Sequence, residues 1–240
     1  MDYATKIRID AALQRWVELR DKQKADSTAS GRAQAGNRAA VTAGNHLSGI
    51  NQLIVDEVAS TGATGLEIVS SRSKTTLAGF YRASKAWDLL VLEQGSPVLA
   101  VEYKTMKGSE GKNLNNRADE VFGVAEDARQ AEARGLLSRD LRRAYVFVMG
   151  ITPESVKPVG ISVSYGEPDA AFQGASYLRR TAIMCKRMRD TGLYHLTWAV
   201  GVQDDPFLWQ EPDPEVGWDR FAADLRAAFP GGTPTIAPHP

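Results

Sequence analysis

The chain has 240 residues, of which 43% are apolar, so it can bury one substantial core near the upper size of a single α/β domain. Its 29 basic and 29 acidic residues cancel, and any nucleic-acid binding must come from locally basic surface. One cysteine and three histidines exclude an internal disulfide framework and a Cys/His zinc site. We therefore expect one domain over residues 1–240, with carboxylates as the natural ligands of any metal.

Hydropathy gives no sign of membrane insertion. The first ten residues, MDYATKIRID, lack the apolar core of a secretory signal. The longest near-continuous apolar run, residues 144–151, is far too short to cross a bilayer. The expectation is a soluble protein of the cytoplasm.

The N-terminal segment, residues 1–45, is predicted to be an amphipathic helix followed by a flexible basic loop. Residues 5–24 place apolar side chains three or four positions apart among charged ones, namely Ile9, Leu13, Trp16 and Leu19. Residues 25–44 are rich in Gly, Ser and Ala and are basic where charged, apart from Asp26. This composition suits a plain linker or a marginal helix, and also a loop that orders on a phosphate backbone.

A second amphipathic helix is predicted from Asn45 or Ser48, either of which can cap it, to near Ser60. Glu57 falls seven residues after Ile50 and so lies on or beside the buried stripe, an unusual place for a carboxylate. Two interpretations remain open. Glu57 is either a rim residue in a salt bridge or an acid that points from the helix into a metal site.

The most informative stretch is residues 77–104. Two apolar runs, 87–92 and 98–104, flank a glycine-containing loop, Gln94–Ser96, and predict a β-hairpin buried on both faces. The runs are apolar enough for central strands. A charged side chain at their ends is therefore partly desolvated and needs a partner or a metal.

The remaining elements alternate between helix and strand, which indicates an α/β fold. We predict a helix over 117–133 capped by Asn115 or Asn116, a strand over 144–150, a helix over 177–190 that ends at Gly192, a strand over 195–202 and a helix over 221–229. Residues 231–240 are a Pro/Gly-rich tail that we expect to be disordered. Cys185 is interpreted as a core thiol and His195 as a structural residue.

Three side chains of the hairpin suit magnesium-dependent hydrolysis of a phosphodiester. The reaction needs a hard cation that activates a water molecule, and a further charged group that steers this water. Glu102 and Lys104 are two residues apart on a strand and therefore project to the same face. Asp88 joins them only if the loop has an odd length, such as the three residues Gln94–Ser96. On spacing alone, a cross-strand Glu/Lys pair is more often a surface salt bridge.

Two sequence blocks resemble the XhoI-type restriction endonucleases of the PD-(D/E)xK superfamily. The first block is SKAWDLLVLEQGSPVLAVEYKTMKG followed by GKNLNNRADEVFGVAEDA, and the second is SYLRRTAIMCKRMRDTGLY. They cover about residues 79–130 and 172–195, in the order that this family shows. Trp87 stands where the generic motif has proline, as expected for these enzymes.

The resemblance implies roles for the site residues. Asp88 and Glu102 would be ligands of Mg²⁺, and the Tyr103 carbonyl would complete the coordination shell. Lys104 would orient the attacking water or stabilise the developing charge. Glu57 would be an auxiliary catalytic acid supplied by the preceding helix.

A basic, amide-rich segment surrounds the predicted site. From residue 72 to residue 117 there are eight basic and four acidic residues, whereas residues 204–215 are acidic, so we expect a basic side with the site and an acidic side away from it. The predicted DNA-binding residues are Lys107, Lys112, Asn113, Asn115, Asn116 and Arg117. Alternatively, Asn116 is only a helix cap and Arg117 a solvated charge.

Other segments are open candidates for the DNA contact. Residues 41–50 and 157–173 are candidates for base contacts. Five basic residues of the helix over 177–190 either extend the DNA footprint or coat an exposed helix face: Arg179, Arg180, Lys186, Arg187 and Arg189.

The resemblance implies a restriction-endonuclease-like α/β fold, with a central mixed β-sheet flanked by helices. It also implies cleavage of double-stranded DNA at a short palindrome, with C^TCGAG expected and 5′-phosphates as products. A palindrome read by one protein implies a homodimer, and a cognate methyltransferase would have to protect host DNA. Two alternatives remain: a repair or junction nuclease of the same fold, and a non-catalytic DNA-binding protein in which Asp88, Glu102 and Lys104 form an ion network.

Overall fold

The computed structural model describes residues 1–29 and 47–230. The chain divides into two compact units, one of residues 1–64 with 225–240 and one of residues 65–224. Several predicted features lie wholly or largely outside the described residues: most of the loop predicted over 25–44, the cap Asn45, most of segment 41–50 and the tail 231–240. The first five residues of that predicted loop, 25–29, are helical instead. The prediction of one domain over the whole chain stays a prediction.

The first unit contains two packed helices, α1 (Tyr3–Ala29) and α2 (Ser48–Ser60). The predicted apolar stripe of α1 is confirmed, because Ile9, Leu13 and Trp16 are buried. The two helices approach closely at Gly49, where an added Cβ would lie 2.8 Å from the Ala12 carbonyl oxygen. A glycine at this position therefore permits the contact.

The start of α2 differs from the prediction. The N-cap residue is Leu47, which makes no capping hydrogen bond through its side chain, and Ser48 is already helical. The predicted cap at Ser48 is wrong, because the helix extends one residue further toward the N-terminus than the serine pattern indicates. Burial of the apolar face, not the cap, therefore stabilises this end of the helix.

The second unit is built on a mixed β-sheet. Its strands are β1 (Leu66–Val69), β2 (Thr76–Ala78), β3 (Ser84–Ala86), β4 (Leu89–Glu93), β5 (Ser96–Met106), β6 (Arg142–Gly150), β7 (Leu196–Gln203) and β8 (Leu208–Gln210). Six of them form one sheet in the order β1-β4-β5-β6-β7-β8, and β2 pairs with β3 in a separate hairpin. The strands β5, β6 and β7 run parallel, and the other neighbouring pairs are antiparallel. This mixed central sheet confirms the predicted fold class.

The helices after the hairpin are α3 (Glu110–Ala133), α4 (Pro153–Val156), α5 (Tyr177–Asp190) and α6 (Trp218–Ala228). Helix α5 has the predicted bounds, and its residues Thr181, Met184 and Met188 are buried. Side chains of α3 and α5 share one core with the sheet, and Cys185 belongs to this core as predicted. None of the helices within residues 1–29 and 47–230 is long and apolar enough to cross a membrane.

Helix α3 begins at Glu110 rather than at the predicted Arg117. The Glu110 carboxylate is buried and accepts hydrogen bonds from the Gly108 N–H (3.2 Å) and the Thr152 hydroxyl (2.7 Å). The Asn113 amide donates to the Gly108 carbonyl (3.1 Å). These contacts fix the first turn of a polar segment whose sequence has no apolar periodicity, which is why the sequence did not indicate a helix there.

His195 joins the beginnings of β6 and β7. Its backbone N–H donates to the Arg143 carbonyl (2.8 Å), and its ring Nδ1 accepts a hydrogen bond from the Arg143 backbone N–H (3.0 Å). Partial burial, followed by the charges of Arg143 and Arg142, lowers the pKa of His195 to about 4. A neutral ring whose Nδ1 accepts a backbone hydrogen bond supports the structural interpretation of this histidine.

Replacing His195 with asparagine should make folding less sensitive to mild acid. The folded-state pKa, about 4, lies below the ordinary value of 6.5, so this contribution to stability is present above pH 6.5 and is lost as the pH falls through 4. We expect His195→Asn to cost roughly 1 kcal/mol at neutral pH and to remove part of the loss of stability in acid. Urea denaturation at neutral and acidic pH measures both effects. An unchanged pH dependence in the variant would contradict this role.

Candidate active site

The turn between β4 and β5 is one residue shorter than predicted. Glu93 pairs with Ser96 across the two residues Gln94 and Gly95, so the predicted three-residue loop is wrong. Both turn residues have positive φ angles, 50° and 78°. Two positive φ angles are typical of the tightest β-hairpin turns, and a glycine at the second position adopts this conformation without strain.

A bulge restores the odd offset that the shorter turn removes. Val91 pairs with Leu99 but Leu92 pairs with Pro97, so Val98 is an extra residue on β5. The pairing beyond the bulge, Leu89 with Val101, is the same as a three-residue loop would produce. The condition for bringing Asp88 to Glu102 is therefore met, through a bulge rather than through the loop.

Asp88 is tied to the backbone on both sides of Glu102. Its N–H donates to the Val101 carbonyl (3.0 Å), and its Oδ2 accepts the Tyr103 N–H (2.7 Å). The Tyr103 side chain is buried, whereas Asp88 is exposed on one side. A hydrated cation can thus reach the Asp88 carboxylate at the end of the hairpin.

Glu102 is a buried carboxylate held between two ammonium groups. The residue is only 1% exposed. Its Oε1 lies 2.6 Å from the Lys104 Nζ, and its Oε2 lies 2.8 Å from the Lys85 Nζ. The Lys104 Nζ also lies 3.8 Å from an oxygen of Glu120 on α3. The sequence-predicted residues Asp88, Glu102 and Lys104 are therefore brought together, with Lys85 as an additional member.

Burial, together with the nearby charge of Glu102, raises the pKa of Asp88 to about 6. The largest cause is the surrounding protein, which displaces water from the carboxyl group, and the second is the negative charge of Glu102. The Tyr103 N–H and the ammonium groups of Lys85 and Lys104 act in the opposite direction. Two acids at one site make ionised Asp88 costly, and a bound cation would remove this cost.

The oxygen donors of this cluster fit magnesium better than zinc. Within the part of the chain that the structure describes, no three His, Cys, Asp or Glu side chains are grouped to hold a metal ion. Magnesium, however, is commonly bound through one or two carboxylates together with water and substrate phosphates. Asp88, Glu102 and the Tyr103 carbonyl supply a donor set of this kind.

Glu57 belongs to the first unit. It is buried, and its two carboxylate oxygens pair with Arg8 (3.4 Å) and with Arg226. These contacts support the salt-bridge interpretation of Glu57. Its role as an auxiliary catalytic acid stays a prediction.

Five of the six predicted DNA-binding residues lie on helix α3, and Lys107 precedes this helix. The N-cap of α3 is Ser109, so the predicted caps Asn115 and Asn116 are wrong, and both residues are exposed in the second turn. Asn113 and Arg117 share a face with Glu120, which pairs with Arg117 (2.6 Å) and lies beside Lys104. This face of α3 is therefore directed toward the cluster of Asp88, Glu102 and Lys104.

Acidic and basic segments are less separate than predicted. Lys107 pairs with Asp204, a residue of the acidic segment 204–215. Two arginines of α5 pair with the same segment, Arg179 with Asp213 (2.7 Å) and Arg189 with Glu215 (3.2 Å). Arg187 pairs with Asp169 (2.6 Å), and Arg180 donates to the Val159 carbonyl (2.9 Å). The prediction of separate basic and acidic sides is wrong here, and these arginines have structural partners.

The sequence reasoning missed the function of the β2–β3 hairpin. Lys85 lies on β3, three residues before Asp88, and the only available signal was a basic residue at this spacing. Asp127 of α3, 2% exposed, fastens the loop between the two strands. Its Oδ1 accepts the N–H groups of Phe80 (3.0 Å) and Tyr81 (2.6 Å), and its Oδ2 lies 3.1 Å from the Arg82 Nε. A buried acid therefore positions the hairpin that supplies Lys85.

A family model described as restriction endonuclease XhoI matches residues 26–205. The chain belongs to the XhoI restriction endonuclease family. The match includes β4, β5, α3 and α5, and with them every cluster residue described above. No solved structure matches the chain.

Curated relatives of this family are similar over about two thirds of the chain. The type II restriction enzyme XhoI of Xanthomonas vasicola is 34% identical over 161 residues, which are 65% of this chain and 65% of that enzyme. The type II restriction enzyme BstVI of Geobacillus stearothermophilus is 35% identical over 67% of this chain and 74% of its own length. The type II restriction enzyme AbrI of Azospirillum brasilense is 32% identical over 64% of this chain and 69% of its own length. The matched region is slightly less than two thirds of the Xanthomonas vasicola enzyme.

Removing the Asp127 carboxylate should loosen the hairpin. Asp127→Ala removes the acceptor of the Phe80 and Tyr81 N–H groups and the ion-pair partner of Arg82, so we expect a loss of roughly 1–3 kcal/mol in the free energy of unfolding. Asp127→Asn keeps one acceptor oxygen and should lose less. Urea denaturation measures the difference, with Glu126→Ala on the neighbouring exposed position as a control of small effect. Equal stabilities of Asp127→Ala and Glu126→Ala would contradict the role of Asp127 in fastening the loop between β2 and β3.

Proposed function

We propose that this member of the XhoI family is a magnesium-dependent type II restriction endonuclease. It hydrolyses double-stranded DNA at a short palindrome and leaves 5′-phosphates. The observation that carries the proposal is the convergence of Asp88, Glu102 and Lys104 at one end of a family-matched hairpin. Family membership supports this class of reaction, and the cluster supports the choice of residues.

The residues divide the chemistry between them. Asp88 and Glu102, with the Tyr103 carbonyl, hold the cation through oxygen atoms. When bound, Mg²⁺ neutralises phosphoryl oxygens and lowers the pKa of a water molecule. Lys104, fixed by its contact with Glu102 (2.6 Å), places a positive charge where it orients the attacking water or stabilises the negative charge that develops on the phosphate.

DNA would lie along the beginning of α3. Asn113 and Arg117 face the cluster, while Lys112, Asn115 and Asn116 are exposed beside it. Amides and guanidinium groups can bind base edges, and a lysine binds phosphates without reading sequence. We assign the DNA contact to these residues because Glu120, the partner of Arg117, lies beside Lys104 of the cluster. The acidic partners of the α5 arginines, Asp169, Asp213 and Glu215, belong to other segments.

The target and partners follow from the same proposal. The sequence resemblance implies C^TCGAG as the target, and a palindrome read by one protein implies a homodimer with one site for each strand. A nuclease of this specificity requires a methyltransferase that protects host DNA, and both proteins would act in the cytoplasm.

A non-catalytic ion network explains the cluster less well. Such a network would account for Glu102, whose two oxygens are both paired with lysines. It does not account for Asp88, since no ion pair with Asp88 occurs among residues 1–29 and 47–230 and its pKa is raised to about 6. A carboxyl group whose surroundings disfavour its ionised form adds little to folding stability, but a bound cation would stabilise that ionised form.

Cleavage of a long duplex DNA tests the proposed function. With Mg²⁺, the wild-type protein should give discrete fragments whose ends share one palindrome. We expect Lys104→Ala and Asp88→Asn to lower the single-turnover rate by roughly 10²–10⁴-fold, while Lys6→Ala, which removes an exposed ammonium on α1, keeps the wild-type rate. Circular dichroism establishes that each variant is folded.

Other outcomes of this cleavage experiment would overturn the proposal. A folded wild-type protein that binds DNA but cuts none with Mg²⁺ or Mn²⁺ would leave a DNA-binding protein. Cutting at junctions or lesions without a shared sequence would leave a repair nuclease of the same fold.

The salt dependence of DNA binding tests whether α3 or α5 contacts the DNA phosphates. Lys112→Ala should lower the slope of log affinity against log salt by about 1, because one phosphate contact is lost. Arg187→Ala should leave the slope unchanged, because its guanidinium already pairs with Asp169 (2.6 Å). Fluorescence anisotropy without divalent metal, over a series of salt concentrations, measures both slopes. A loss of slope in Arg187→Ala alone would place the DNA on α5.

A further inference from the structure

We propose that Lys85 is an internal counter-ion of Glu102 which a metal ion must displace, and that the displaced ammonium then binds a DNA phosphate. The inference rests on the proposed function. Lys85 would be a positioning residue that links metal binding to DNA binding.

The first step is competition for one carboxylate oxygen. The Lys85 Nζ lies 2.8 Å from the Glu102 Oε2 and donates to the Ala86 carbonyl (2.6 Å). The Lys104 Nζ occupies the other oxygen, Oε1, at 2.6 Å. A cation that binds both Glu102 and Asp88 therefore needs an oxygen that an ammonium group already occupies.

The second step follows from the charges. Asp88 and Glu102 carry two negative charges, and Lys85 and Lys104 carry two positive charges, so the four groups are neutral together. A divalent cation adds two positive charges and repels both ammonium groups. Lys104 has a second carboxylate nearby, Glu120 (3.8 Å). Among residues 1–29 and 47–230, Lys85 forms an ion pair with Glu102 alone, and its other acceptor is a neutral carbonyl, that of Ala86 (2.6 Å). Lys85 is therefore the ammonium group that leaves.

The third step concerns where the ammonium group goes. The backbone of Lys85 is fixed, because it pairs with Leu77 in the β2–β3 hairpin and the hairpin loop is fastened by Asp127. Only the four-carbon side chain can swing, and it lies over the edge of the site beside the Trp87 ring (5.6 Å). The Lys85 side chain is 19% exposed, so part of it is in contact with solvent. A DNA phosphate brought there supplies the missing negative charge.

Metal titration of the protein without DNA tests the displacement. We expect Lys85→Met to bind Mn²⁺ roughly tenfold more tightly than the wild type in isothermal titration calorimetry, because one competing charge is removed while Asp88 and Glu102 remain. Lys85→Arg keeps the charge and should stay near the wild type. Lys6→Met, which removes an exposed ammonium paired with Asp10, is the matched control.

Cleavage kinetics test the second half of the proposal. Lys85→Met should reach half-maximal cleavage at a lower Mg²⁺ concentration and show a higher KM for DNA, because the phosphate contact is lost. If Lys85 had only a structural role, the substitution would lower stability without strengthening metal binding and weakening DNA binding at the same time. Thermal unfolding establishes that the variant is folded at the assay temperature.

The outcomes distinguish this inference from the proposed function. Weaker or unchanged Mn²⁺ binding by a folded Lys85→Met, in a wild-type protein that cleaves DNA, would overturn the counter-ion role alone. A lower Mg²⁺ requirement with an unchanged KM would overturn the phosphate contact. A wild-type protein that neither binds Mn²⁺ nor cleaves DNA would overturn the proposed function and the inference with it.

Discussion

The candidate active site depends on the offset between two antiparallel strands. Side chains alternate between the faces of a strand, so a shift of one residue between β4 and β5 would put Asp88 and Glu102 on opposite faces. The tight Gln94–Gly95 turn alone would produce that shift, and the extra residue Val98 cancels it. The turn and the bulge therefore act together, and a deletion in either would separate the two acids while leaving most of the sheet intact.

The same hairpin places a charged cluster at the edge of an apolar core. Glu102 is 1% exposed, and an ionised carboxylate buried this deeply would be strongly unfavourable without the ion pairs to Lys85 and Lys104. The Tyr103 N–H and the two lysines compensate Asp88 only in part, because its pKa is still raised to about 6. In this arrangement Glu102 is paired with two lysines, whereas the ionised form of Asp88 is disfavoured. Such a perturbed carboxyl group is typical of a site that binds a ligand.

The sequence predicted those parts of the fold that depend on apolar periodicity. Helix α5 and the strands β6 and β7 match closely, since their buried stripes are visible in the order of residues. The first turn of α3 was missed because contacts of Glu110 with distant groups, not periodicity, hold it.

The site was predictable in its three principal residues but not in its surroundings. Spacing and family resemblance indicated Asp88, Glu102 and Lys104, yet the bulge that joins them has no sequence signal of its own. Lys85 and Asp127 act across long separations in sequence, which no local pattern shows. The comparisons establish the family, whereas the assignments of residues to metal and DNA remain proposals.

Locating a metal ion crystallographically would test the central claim most directly. Crystals of the protein with Mn²⁺ and a duplex containing the expected palindrome would show the ion by its anomalous scattering. The account predicts Mn²⁺ in contact with carboxylate oxygens of both Asp88 and Glu102, with Lys104 still beside the site. Manganese bound elsewhere, or carboxylates of Asp88 and Glu102 that contact no ion at saturating Mn²⁺ with DNA in place, would contradict it.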